Sequence, residues 1–247
     1  MKKALISILV VLILLLSFPA TVLAVEPSKK PITPPELKSV TFIHYAKPDK
    51  PGKPDKPDEP DEPPLSEPDN TAYKLLGIYL PDTVTYHVNP DGAPEEVLAE
   101  IQLSFETWDE ETGKELFIFD SLTNKSGLNL DEQNTISWRR IAPRNIIAVT
   151  SLWYDAAGQI VEFDIAFNAF LKWGIDPDDE GPISLSKMYD VQNIATHEVG
   201  HVVGLGDLYE DQYRELTMYG YGKTGETIKI SLEEGDIAGA QDLYMAP

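Results

Sequence analysis

The sequence predicts an α/β (α+β) fold, with a sheet packed on a buried helix and a second helix closing the chain. Three observations carry this. Short β-branched or apolar runs recur between residues 83 and 167, interrupted by one helical pattern. An apolar helix near residue 197 carries two histidines and a glutamate at metal-site spacing. A capped, striped helix closes the chain.

Residues 83–88 alternate and are β-branched, which reads as a strand, and Asn89-Pro90-Asp91-Gly92 is a turn. Pro94, Glu95 and Glu96 open a helix with acids where its dipole favours them. Val97, Ile101, Phe105 and Trp108 give that helix an apolar stripe for a sheet. Residues 116–119 form a second strand, and residues 135–138 and 146–150 a third strand region interrupted at Pro143. A further strand covers residues 159–167, entered through the turn at Asp155-Ala156-Ala157-Gly158, and residues 172–188 read as loop. The histidine-bearing helix starts near Asp190, a good N-cap. In the last helix Ser231 and Glu234 make a capping box, and Leu232, Ile237, Ala240 and Tyr244 form the stripe.

The stretch Thr196-His197-Glu198-Val199-Gly200-His201 contains H-E-x-x-H. Four-residue spacing on a helix projects His197 and His201 from one face, so both can reach one zinc ion. Glu198 sits one step round the helix, where it can take a proton from water. Gly204 allows the left-handed turn that ends a helix, after which Asp207 can return as a third, anionic ligand. The competing reading is a buried helix with two hydrogen-bonded histidines.

The pattern H-E-x-x-H-x-x-G-x-x-D, followed by Met218 in the stretch Leu216-Thr217-Met218-Tyr219-Gly220-Tyr221-Gly222, resembles the metzincin signature and, among metzincins, the matrixins. Asp207 stands where histidine is usual. The resemblance implies a twisted mixed sheet over the active-site helix, with an antiparallel edge strand that borders the cleft, a role it gives to residues 160–168. Such an edge could pair with an extended peptide, the alternative being an ordinary core strand. It also implies that Met218 floors the zinc, that residues 222–227 wall a specificity pocket, and that the final helix completes a small C-terminal subdomain. The tyrosine that ligates zinc in astacin-like and serralysin-like relatives falls at Gly220, so no such ligand is assigned. Matrixin propeptides often cap zinc with a cysteine, which this chain lacks. Residues 150–180 also lack the histidines of a second, structural zinc, so one zinc is expected. A thermolysin-like site, with Glu233 or Glu234 as third ligand, would leave Gly204, Asp207 and Met218 without a role.

The function expected is a secreted zinc endopeptidase of protein or peptide substrates. His197, His201 and Asp207 hold the metal, Glu198 is the general base, and the chain is a monomer. The other class is a non-catalytic binding or adhesion module on a stalk, with the zinc structural. An intramembrane protease is excluded, since no long apolar span adjoins the motif.

The formal net charge of −21, nearly all of it after residue 70, argues against nucleic acid or an anionic membrane surface as partner. Carboxylates could hold calcium. With no cysteine there is no disulfide framework. Met1-Lys2-Lys3, the apolar run over residues 4–18, Pro19 and Ala24 read as a signal peptide cut after Ala24, with an uncleaved anchor as the alternative. Residues 25–70 read as a mixed segment and a spacer with proline at every third position, able to tether a domain to a membrane or cell wall. The domain proper then begins at residue 71. Two histidines outside the motif are not assigned to the metal. His44, in the short apolar patch Val40, Phe42, Ile43 and Tyr45, is expected to be solvent-exposed, and His87 structural or exposed.

Overall fold

The computed structural model describes residues 36–48, 67–176 and 186–245. Residues 1–24, read as the signal peptide, and most of the proline spacer lie outside the described residues. In order, the elements are β1 (Lys38–Ala46), β2 (Val84–Asn89), α1 (Val97–Thr112), β3 (Phe117–Leu122), β4 (Thr135–Arg139), β5 (Ile146–Tyr154) and β6 (Ile160–Asn168). They continue with β7 (Trp173–Gly174), β8 (Tyr189–Asp190), α2 (Val191–Val203), β9 (Tyr221–Gly222) and α3 (Glu234–Tyr244). The main sheet is mixed, as expected, and runs β3-β2-β4-β6-β5-β1-β9. Strands β3, β2, β4 and β6 are parallel, β5 is antiparallel to both β6 and β1, and β9 is parallel to β1.

The stripe on α1 packs inward: Ile101, Phe105 and Trp108 are buried against Tyr86, Phe117 and Phe163 from the sheet and against α2. The Trp108 indole donates to the Thr196 carbonyl at 2.9 Å, which fixes α1 against the turn that carries His197. Tyr244 of α3 donates to Val203 at 2.7 Å and accepts from the Leu80 amide at 3.0 Å, closing the layer from the other side.

Several expectations are corrected. Residues 160–168 are not an edge strand: β6 lies between β4 and β5, and the antiparallel strand beside the cleft is β5. Glu162 and Asp164 are buried, and their carboxylates accept amides of Asp131 and Glu132 (2.7 and 2.6 Å) and of Asn129 and Thr135 (2.7 and 2.9 Å). The strand region interrupted at Pro143 is two strands, β4 and β5, on opposite sides of β6. Within residues 172–188, Trp173–Gly174 pairs with Tyr189–Asp190 in a short parallel ladder. The capping box of α3 is Glu233 with Asp236, two residues on from the pair expected. Lys38–Ala46, which falls in the mixed segment expected before the spacer and outside the domain expected from residue 71, is a full strand of the main sheet. It pairs with β5 from Lys38–Tyr154 to Tyr45–Ile146, with one register shift at its end.

Helical glycines usually weaken a helix, so Gly200→Ala on α2 would ordinarily stabilise it. Here a β-carbon would stand 2.3 Å from Met218 Sδ and 2.8 Å from Trp108 Cζ2. The expected result is a loss of about 1–3 kcal/mol in denaturant unfolding. A gain would show that the helix and the Met218 turn are packed less closely than this.

Candidate metal centre and cleft

Helix α2 is set at both ends by side chain and backbone. Asp190 caps it, its carboxylate accepting the Asn193 amide at 2.7 Å. Gly204 ends it at φ 114°, where a β-carbon would also strike the Ile78 carbonyl at 2.4 Å. The turn it makes returns Asp207 to the histidine face. Asp207 Oδ1 lies 3.3 Å from His197 Nε2 and 3.6 Å from His201 Nε2.

These atoms fit one zinc ion. Donors held about 2.0–2.1 Å from a tetrahedral ion stand about 3.3 Å apart. His197 Nδ1 donates to the Thr217 carbonyl at 2.7 Å and His201 Nδ1 to the Leu205 carbonyl at 2.9 Å. A carbonyl only accepts, so Nε2 is the bare nitrogen of each ring, the form a metal needs. His197 Nε2 and Asp207 Oδ1 are buried without a hydrogen-bond partner in the protein. Burial lowers the pKa of His201 to about 4. It acts to raise that of Asp207, but His197 and His201 outweigh it and hold the carboxyl well below the usual range.

Glu198 is fully buried beside this trio, and burial pushes its carboxyl up to about 7. Its Oε2 accepts from the hydroxyl of Thr150 on β5, and its Oε1 faces His44 Nδ1 at 3.3 Å. So the four residues predicted from the motif come together. Met218 lies against the helix at Gly200. His87 sits elsewhere, beside Ser121 and Asp120. Of the two ligands offered by the rival arrangement, Glu233 is the cap of α3 and accepts from Asn70 at 3.1 Å, and Glu234 is the first residue of that helix.

His44 is the main correction. Expected at the surface, it is 1% exposed, and its ring lies 4.0 Å from that of His197, centroid to centroid. Two residues back on the same face of β1, Phe42 stacks on His201 at 4.1 Å. Among the described residues two groups could hold a metal ion: His197, His201 and Asp207, and a second of His44, His197 and Glu198. Both belong to this one centre; calcium, expected only as a use for carboxylates, is not assigned.

Sequence reasoning also missed Thr150, Lys229 and Asp236. The last could have been found from its place in the first turn of a helix. Asp236 is 1% exposed and accepts the amides of Thr217 (2.8 Å), Met218 (3.1 Å) and Glu233 (3.1 Å). It thereby holds the carbonyl that orients His197. Asp236→Ala is expected to cost about 3 kcal/mol of stability and to weaken zinc binding roughly 10–100-fold, measured by chelator competition. Unchanged zinc affinity would show that His197 is oriented without this link.

A family model described as Matrixin matches residues 79–245. Among curated proteins the chain is similar to "Metalloendoproteinase 2-MMP" of Arabidopsis thaliana, at 34% identity over 74 residues, which is 30% of this chain and 18% of that protein. It is also similar to "Metalloendoproteinase 4-MMP" of the same organism, at 35% over 72 residues, 29% of this chain and 19% of that one. The chain thus spans under a fifth of the length of the curated relatives it matches. The family model itself covers more than half of the chain, including the whole stretch from the first parallel strand to the last helix, and by that match the chain belongs to the matrixin family.

Proposed function

We propose that the protein is a secreted zinc endopeptidase. The observation that carries this reading is the convergence of His197 Nε2, His201 Nε2 and Asp207 Oδ1 beside the buried carboxylate of Glu198. The names of the two curated relatives and the matrixin family agree with it. Secretion rests on the N-terminal residues, which read as a signal peptide.

His197, His201 and Asp207 would hold the ion. Zinc at such a site lowers the pKa of water and polarises a carbonyl group. Glu198, anchored by Thr150, accepts the proton of the attacking water and passes it to the leaving amine. Its raised pKa suits a group that must take a proton and release it near neutrality. The substrate peptide lies extended along β5, as an added strand.

That place is taken by β1, so the test uses the full chain beside a Phe42→Ala/His44→Ala variant. Zinc content is measured together with cleavage of casein, with and without chelator. One zinc per chain and chelator-sensitive cleavage in either protein support the proposal. Zinc without cleavage in both would put the non-catalytic binding module in its place.

A further inference from the structure

Strand β1 is the nearest thing in this chain to a bound peptide. It lies antiparallel to β5 on one side and parallel to β9 on the other, with Tyr45 opposite Tyr221 and Ala46 opposite Gly222. Its hydrogen bonds continue past the strand, from the Lys47 amide to the Gly222 carbonyl at 2.8 Å. Phe42 covers His201, and the side chain of His44 passes Glu198 into a pocket behind β9. The pocket is narrow. A β-carbon on Gly222 would meet Ile147 Cδ1 at 2.9 Å, His44 Nε2 at 3.1 Å and Ile194 Cδ1 at 3.2 Å.

At the end of this pocket is an ammonium group. Lys229 is fully buried, and its Nζ donates to the carbonyls of Tyr219 (2.7 Å) and Tyr221 (2.8 Å). Its third contact is His44 Nε2 at 3.4 Å, with Glu226 Oε2 at 3.8 Å offsetting the charge. An ammonium only donates, so Nε2 is the accepting nitrogen of His44 and Nδ1 carries the hydrogen toward Glu198. Two of the three lysine donors belong to the wall of the cleft. The third is served by whatever side chain enters the pocket.

We propose that this pocket selects a side chain whose tip accepts a hydrogen bond, that Lys229 is the residue that reads it, and that β1 blocks the cleft as the chain's own copy of such a ligand. The inference rests on the endopeptidase reading for its consequence in substrates, which would carry Gln, Asn, His or an acid at the position of His44. An apolar side chain of the same size would leave a buried donor unpaired. Sites built around such a donor discriminate against apolar analogues far more strongly than a methylene difference can.

The experiment is a substitution series at residue 44 in the full chain, read by hydrogen exchange of the β1 and β5 amides, which needs no catalysis. His44→Gln keeps an acceptor and is expected to leave protection close to that of the unaltered chain. His44→Leu is expected to speed exchange roughly tenfold or more. Combining each with Lys229→Met should reverse the order, the leucine now docking better. If His44→Leu is protected as well as His44→Gln in the unaltered background, Lys229 does not read the pocket and the proposal falls, whatever becomes of the Lys229→Met chains. In parallel, the Phe42→Ala/His44→Ala variant is offered two peptides differing only in Gln or Leu at the selected position. Cleavage of neither sinks the endopeptidase reading alone, because the exchange series has already decided the role of Lys229.

Discussion

Glu198→Gln is expected to lower kcat/KM for peptide cleavage by about 10²–10⁴, the range of a general base, with zinc content unchanged. The amide keeps the shape of the carboxylate and can still accept from Thr150, whose hydroxyl now holds the Oε2 oxygen. It cannot take a proton from water. Glu198 contributes no atom to the His197, His201 and Asp207 trio, so the metal has no reason to leave. The measurement pairs steady-state cleavage in the Phe42→Ala/His44→Ala background, where β1 no longer competes, with metal analysis of the same samples. Cleavage at an unaltered rate would remove Glu198 from the mechanism. Loss of zinc along with cleavage would make it a structural residue instead.

Asp207→Ala is expected to weaken zinc binding by more than the roughly 100-fold that follows from losing an outer hydrogen bond, because it removes one of three protein ligands. The same change frees the hydroxyl of Tyr209, which donates to Asp207 Oδ2 at 3.0 Å. Asp207→His, which restores the more usual residue of the signature, should recover tight binding. Competition with a chromophoric chelator reads both. Near-unaltered affinity in Asp207→Ala would mean that another group ligates, and His44 would be the first to examine.

How much of this was legible in the sequence differed by distance along the chain. The metal trio was readable because it is local: a helix turn places His197 and His201, and one glycine turn returns Asp207. The stripe on α1 and the cap at Asp190 were readable for the same reason. His44 and Lys229 were not. Their meeting spans 185 residues and depends on β1 finding β5, which no local pattern specifies. The signal available was the β-branched and aromatic run Val40-Thr41-Phe42-Ile43-His44-Tyr45, strand-like in itself but read together with the polar spacer that follows it. The order of β5 and β6 failed for a different reason. β5 reads as a continuous apolar run and β6 as an apolar run broken by Glu162 and Asp164, and neither pattern says which strand lies beside which in the sheet. The acids of β6 are held by amides of a loop some thirty residues earlier in the chain, a pairing that no local pattern shows.

The link from Asp236 through Thr217 to His197 sets an order in time as well as in space. Helix α2 leaves the ribosome with both histidines and the base already on it. The carbonyl that fixes His197 follows twenty residues later, and the carboxylate that fixes that carbonyl nineteen residues after that. Synthesis supplies β1 first, so its residues are made before those of β5 and β9, between which it lies. A nascent chain therefore holds the strand that covers His201 ahead of its metal trio, and the carboxylate that holds the Thr217 carbonyl comes last of all.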